Sequence, residues 1–463
     1  MLSTEICLAV DQAMATANIT RQTARAIPAG RWSPFRIAPQ PFTVDKHTAA
    51  MLQTIGPMLR DFYHAADQLY RLSLRREAPP FVHQYLDIGK PDWLLRVAQA
   101  DSLQGQIPLI IRPDLLFTEQ GLRATELDSV PGSMGLLSFL QLAYSQLGFS
   151  LLGETTTSQG WLDSLNSLPG DGGLTAIVIS EECSGYRAET EWLAEQWRMS
   201  HPAAPITVFP EQLQLDEDGV WLNGCRVSRV YRFFELFDWE NVPGAHALLH
   251  LAAVGKVVLT PPPKHYLEEK MWFAWLHHSG LEEYWRKLLA EGVFAALKEL
   301  FPPTWLVTPD HAAVGAPPFG GWAKLKQSSR RQRPYVLKPS GFSPLAWGGH
   351  GFSRGKDYTT RQWAEQIDRL LAESERMPFI LQTYQHSLPR EVSFYHADDD
   401  EIKQFQGKTR LCPYYFLLAA DAKQPAQETV LFSGALATTV PMSKPVIHGM
   451  TEAVMSPTGL EVP

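Results

Sequence analysis

Four side chains between residues 112 and 128 have the types and spacing that phosphate and metal chemistry need. The stretch IPLIIRPDLLFTEQGLRATELDSV contains Arg112, Asp114, Glu126 and Asp128. Two apolar runs joined by Glu119, Gln120 and Gly121 read as a β-hairpin. Side chains alternate along a strand, so Glu126 and Asp128 share a face, and Asp114 can meet them across the hairpin. Carboxylates crowded this closely repel unless a cation lies between them. Hard oxygen ligands with places left for phosphate and water suit Mg²⁺. Arg112 projects from the same face, where a guanidinium suits a phosphate or a developing negative charge. The competing reading is a row of solvated charges on an outer face. The helix that follows favours a site: it opens at Gly132, Ser133 and Gly135, and its N-terminus offers backbone donors to an anion.

A second centre is YVLKPSGFSPLAWGGHGFSRGKD. Lys338 closes an apolar strand, and a loop with Gly341, Gly348, Gly349 and Gly351 follows. A lysine at a strand end beside such a loop can hold phosphates, with backbone amides folding over them. The spacing is not that of a Walker A loop. In PFILQTYQ, Gln382 and the backbone around Thr383 and Tyr384 can bond a purine edge, with Ile380 and Leu381 as walls. Lys270, in LEEKMWFAWL, reads from its own neighbourhood as a snorkelling lysine on a helix face. Arg410 is either a contact to a substrate carboxylate or phosphate, or a surface ion pair. His277 and His278 diverge on a helix, and no histidine has ligand-like spacing. His350 and His448 are substrate-contact candidates at most.

The elements that must position these groups follow from periodicity. Apolar residues at three- and four-residue intervals make 45–99 helical. Residues 174–262 alternate strands with a helix (LTAIVIS, then SGYRAETEWLAEQW, then PITVF, VSRVYRFFELF and KVVLT), which predicts a parallel sheet. KHYLEEKMWFAWLHHSGLEEYWRKLL reads as helical, and the helix RQWAEQIDRLLAESE precedes the strand FILQT. With 463 residues the chain is long enough for roughly three domains. A net charge of −8 without a basic run disfavours nucleic acid and anionic membrane as partners. The four cysteines lack CxxC spacing, which argues against a zinc site and a disulfide scaffold and for a reducing cytosolic setting. The first thirty residues lack a signal-peptide pattern, and no apolar run is long enough to span a bilayer.

With these residues in place, the chain resembles the glutathionylspermidine synthase-like branch of the circularly permuted ATP-grasp superfamily. The family pattern is arginine-x-aspartate, a hairpin, then glutamate-x-asparagine. The corresponding stretch is RPDLLFTEQGLRATELDSVPGSMG, with Asp128 standing where the family has asparagine. The resemblance implies that Asp114, Glu126 and Asp128 bind magnesium and that Arg112 stabilises the transferring phosphoryl group. TPPPKHYLEEKMWFAWL implicates Lys270 as a nucleotide lysine, YVLKPSGF implicates Lys338, and FILQTYQ implicates Gln382 at adenine. Gly348, Gly349 and Gly351 correspond to the phosphate-covering loop. Carboxylates that precede the lysines are the order of the permuted branch.

The expected fold class is α/β (α+β): a circularly permuted ATP-grasp fold with an α/β pre-ATP-grasp domain and a helical N-terminal part. The expected division is 1–105 helical part, 106–165 metal-binding hairpin and helix, 166–263 α/β domain, and 264–463 nucleotide-binding part. The expected function is an ATP- and Mg²⁺-dependent carboxylate–amine ligase acting on small molecules through an acyl phosphate. The alternatives are a small-molecule kinase on the same nucleotide site and a degenerate nucleotide-binding protein. No nucleic acid or membrane partner is expected, and the sequence leaves the oligomeric state open, a homodimer included.

Overall fold

In a computed structural model, residues 2–19, 33–346, 351–419, 428–449 and 452–461 are described. The chain is mixed α/β, with three sheets whose facing surfaces enclose one cavity. Among the described residues no helix is long and apolar enough to cross a membrane.

The largest sheet has eight strands. Its long central strand, Glu401–Leu418, pairs antiparallel with Thr429–Pro441 on one side. On the other side it pairs with Pro389–His396 and with Ile110–Thr118, the first strand of the hairpin. Gly121–Asp128 completes the hairpin at the edge, and Gly121 takes a positive φ of 94° at its tight turn. Val454–Leu460 continues the sheet beyond Thr429–Pro441, with the short strands Arg36–Ile37 and Phe42–Val44 along it. This sheet therefore draws on the segments 1–105, 106–165 and 264–463.

The helix Lys46–Leu74 covers the outer face of this sheet. It starts at Asp45, whose carboxylate accepts the Thr48 N–H at 2.6 Å, and buries Leu52, Ile55, Leu59, Phe62 and Leu69 at helical spacing. It comes closest at Gly56, where a Cβ would meet the Tyr415 ring at 2.5 Å. The Tyr415 hydroxyl donates to the Leu52 carbonyl at 2.6 Å. Because strand side chains alternate, Lys408, Arg410, Cys412 and Tyr414 point the other way, into the cavity.

The second sheet has the expected parallel core, with Ile206–Val208, Leu174–Ile179, Cys225–Phe233 and Val258–Thr260 side by side. A β-ribbon of Gln214–Asp216 and Gly219–Leu222 extends it. The third sheet is antiparallel, in the order Thr304–Val307, Phe379–Thr383, Tyr335–Pro339, Ser353–Arg354. The helix Thr360–Glu373 backs it through Trp363, Ile367 and Leu370.

The run expected to be helical after Pro263 is broken into short pieces, including His265–Glu268, Met271–Leu276 and Glu282–Leu288. The break has a cause. The Lys270 N–H donates to the Ser340 carbonyl at 2.8 Å and the Met271 N–H to the Ser340 hydroxyl at 3.0 Å, so the third sheet takes backbone donors that a helix would use. At this break three consecutive side chains diverge. Glu268 pairs with Arg232 of the parallel sheet, Glu269 with Lys90 of the helical part, and Lys270 with Glu126 of the hairpin.

Candidate active site

The hairpin register sets Arg112 opposite Asp128 and Asp114 opposite Glu126, so all four share the cavity face. A β-bulge just beyond the Asp114–Glu126 pair, before Leu115 meets Ala124, leaves Thr125 as the extra residue. The bulge presents the Thr125 carbonyl to Lys338, whose Nζ donates to it at 2.9 Å. Lys338 and Lys270 thus reach the hairpin from the third sheet and from the broken helical run. Lys270 Nζ lies 3.0 Å from Glu126 Oε1 and donates to the Ala346 carbonyl at 3.1 Å. It occupies the N-cap of Met271–Leu276 and faces the cavity, instead of snorkelling to solvent.

Asp114 is buried among cations. Arg410 Nη1 lies 2.8 Å from one of its oxygens, and the other receives the Cys412 thiol at 3.3 Å with Arg112 Nη2 at 3.4 Å. Burial pushes the Asp114 carboxyl up, but the Arg410 and Arg112 charges overcome this and hold it below its ordinary value. Asp128 is shifted the other way. Burial raises it, the repulsion of Asp114 and Glu126 adds to that, and its ion pair with Arg112 only partly offsets the rise. Burial also drives the Lys338 ammonium down to about 8, with Lys270 nearby adding repulsion. Lys270 stays above its usual range because Glu126 outweighs its burial.

The group therefore has an excess of positive charge poised for an anion. Arg112 Nε and Arg410 Nε are both buried without a hydrogen-bond partner among the described residues, so each guanidinium beside Asp114 keeps an unused donor. An all-oxygen set on one hairpin face is chemically suited to Mg²⁺. Among the described residues no three His, Cys, Asp or Glu side chains stand together as a ready metal cage, because each hairpin carboxylate is turned to its own cation. Recruiting the carboxylates to a metal requires those cations to find another anion.

Several sequence expectations meet a different local geometry. Gln382 lines the cavity, but both ends of its amide are engaged: Oε1 accepts from Lys338 at 3.1 Å and Nε2 donates to Thr304 Oγ1 at 3.3 Å. The Thr383 and Tyr384 N–H groups donate to Pro303 and Pro334 carbonyls. Gln382 thus steadies Lys338. Ile380 and Leu381 are core residues away from the cavity, whose walls there are Val336, Phe352 and Tyr384. Gly351 packs against Pro339 and donates its N–H to the Leu345 carbonyl at 2.8 Å, off the cavity lining. Gly348, Gly349 and His350 lie outside the described residues. His448 lines the cavity, while His277 bonds the Phe301 carbonyl.

The helix expected to offer its N-terminus to a ligand, Met134–Gln146, already has an anion. The Glu189 carboxylate accepts the Leu136 N–H at 2.6 Å and the Ser133 N–H at 3.1 Å. Gly135 is needed for this approach, since a Cβ there would meet the Glu189 carbonyl at 2.5 Å. Burial raises the Glu189 carboxyl to about 7 even though those amides favour its charged form. This helix start in turn orients Arg112: the Gly132 carbonyl accepts from Tyr414 at 2.5 Å and from Arg112 Nη1 at 3.5 Å. Glu189, Tyr414 and Cys412 come from elements far from the hairpin in sequence, and no local pattern marks them.

Arg112, Asp114, Glu126, Asp128, Glu189, Lys270, Lys338, Arg410, Cys412 and Tyr414 all line one cavity of about 790 Å³ between the three sheets, a size typical of small-molecule sites.

No protein-family model matches the chain, and no curated protein matches it in sequence. Among solved structures it is similar to a glutathione synthetase-like effector from Globodera pallida, in its apo form. The TM-score is 0.59 at 10% identity, covering 100% of this chain and 98% of that one. The two proteins share a fold over their whole lengths. A protein from Methylobacillus flagellatus, solved as a candidate gamma-glutamylcysteine synthetase, matches with a TM-score of 0.40 at 13% identity, over 91% of this chain and 90% of that one. That second likeness is too distant to build on.

Proposed function

We propose that the chain is an ATP- and Mg²⁺-dependent carboxylate–amine ligase built on a circularly permuted ATP-grasp fold. The observation that carries this reading is the meeting of Arg112, Asp114, Glu126, Asp128, Lys270, Lys338 and Arg410 around one cavity. Its whole-length likeness to a glutathione synthetase-like fold agrees with it.

In this reading, Lys270 and Lys338 hold the nucleotide phosphates from two sides, and the Thr125 bulge with Gln382 fixes the direction of Lys338. Arg112 and Arg410, each with a spare buried Nε, bind the phosphoryl oxygens and the carboxylate that attacks them. Magnesium, when bound by Asp114, Glu126 and Asp128, would neutralise phosphate charge. Those carboxylates would be free to hold such a metal once phosphates had drawn Arg112, Arg410 and Lys270 off them. Attack of a substrate carboxylate on the γ-phosphate gives an acyl phosphate and ADP, and an amine then displaces phosphate to form an amide. Little covalent work falls to the protein, whose contribution is positioning and charge. The division of the chain at about residues 105, 165 and 263, cytosolic residence and a homodimer belong to the same proposal.

The test is ADP and phosphate release with pairs of carboxylates and amines, with products identified by mass. A ligase yields ADP, phosphate and an amide. ADP with a phosphorylated product and no free phosphate points to a kinase, and nucleotide binding without turnover points to a degenerate protein. Glu126→Ala is expected to abolish turnover and leave circular dichroism unchanged. Full activity in that variant would refute the metal assignment.

A further inference from the structure

The cavity changes character along the floor of the large sheet. Register places Cys412 beside Leu436, and Thr438 between Arg410 and Met455. Moving away from the hairpin, the face passes from Asp114 through Arg410 and Cys412 to Leu436 and Met455. Phe35 closes this end from beside the short strand Arg36–Ile37, and Ile447 closes it from the loop after Pro441. These four apolar side chains all line the cavity and belong to, or pack on, one hydrophobic cluster. Leu436 is 3% exposed and Phe35 1%, so both are held in place by core packing and present only an edge to the cavity. The charges of the covering loop are settled elsewhere: Lys444 pairs with Glu452, and its carbonyl accepts from Lys408.

We propose that this end of the cavity is a chamber for an apolar tail on the carboxylate substrate. The inference rests on the ligase reading in one respect, that the carboxylate head sits at Arg410 and Arg112. From that point one direction along the sheet that leaves the hairpin carboxylates behind runs over Leu436 and Met455, while the other follows the same strand to the charged Lys408. Two strand spacings separate the Arg410 strand from the Met455 strand, a floor of roughly 10 Å that is apolar at Leu436 and Met455 and carries Thr438 between Arg410 and Met455. A hydrophilic tail there would lose its hydration against Phe35, Leu436, Ile447 and Met455, with polar groups among the described residues only at the rim around His448 and beneath at Thr438, so the chamber disfavours polar acyl groups.

The experiment is calorimetric titration of the full chain, with Mg²⁺ and a non-hydrolysable ATP analogue, using linear carboxylates from acetate to decanoate. Affinity is expected to rise about fourfold per methylene until the chamber is filled. Ile447→Ser, on the loop after Pro441, is expected to reduce the gain for the distal methylenes while circular dichroism stays unchanged. Leu142→Ser, an exposed leucine on another element (44% exposed), should leave the series unchanged. Affinity independent of chain length, or tighter binding of hydroxylated and amino-substituted acids than of alkyl ones, would overturn the chamber. A steep series in a protein that forms no amide from any pair would keep the chamber and sink the ligase reading. A flat series alongside amide formation would do the reverse.

Discussion

Lys338 offers a pH test of the nucleotide site. Its ammonium is held at about 8, against an ordinary 10.5, because burial disfavours the charge and Lys270 repels it. A triphosphate binds the charged form, so nucleotide affinity should fall as pH rises through the folded value. The other cations do not share this behaviour: Lys270 and Arg410 are shifted upward. Going from about pH 7.5 to about pH 9.5, the protonated fraction of Lys338 drops from about three-quarters to about 3%, which weakens binding by about 25-fold. The assay is equilibrium binding of a fluorescent Mg·ATP analogue at three pH values. Lys338→Arg carries a charge that does not titrate in this range, so it should flatten the profile. A wild-type dissociation constant that moves less than about twofold would refute the placement of Lys338 on the phosphates, as would an arginine variant with the same slope.

Two further perturbations follow from the buried charges. Asp114→Ala leaves the Arg112 and Arg410 guanidiniums facing each other without their shared carboxylate, and should cost about 3–5 kcal/mol in urea denaturation. Glu189 is raised from 4.5 to about 7, so the stability its protonated form provides is complete below the unfolded value and is lost as pH climbs to 7. The loss amounts to about 3 kcal/mol. Glu189→Gln should remove that slope from stability measured between about pH 5 and pH 8, and an identical slope in both proteins would show that another group titrates.

What could be read from the chain beforehand follows the range of the interactions. The hairpin was legible because alternation and a tight turn are local, so the sharing of one face by Arg112, Asp114, Glu126 and Asp128 needed no tertiary knowledge. The parallel sheet was legible for the same reason, as its strands are short buried runs between turn signals. Gln382 was legible in its place on the cavity and not in its partners. Its position on the strand was readable, but its partners Lys338 and Thr304 come from neighbouring strands that only the folded sheet brings alongside. The helix start at Ser133 looked like a vacant anion site because its occupant, Glu189, lies 53 residues from Leu136. Lys270 reads as an outward lysine from periodicity alone, until Ser340 captures its backbone and turns the chain.

The divergence at residues 268–270 has a consequence for how the cavity comes into being. Because Glu268, Glu269 and Lys270 are each latched to a different layer, the lysine reaches Glu126 only when the parallel sheet, the helical part and the hairpin have all docked. No half-assembled chain should possess a working pocket. Catalytic competence would then switch on late and all at once during refolding, making turnover a sensitive gauge of complete assembly.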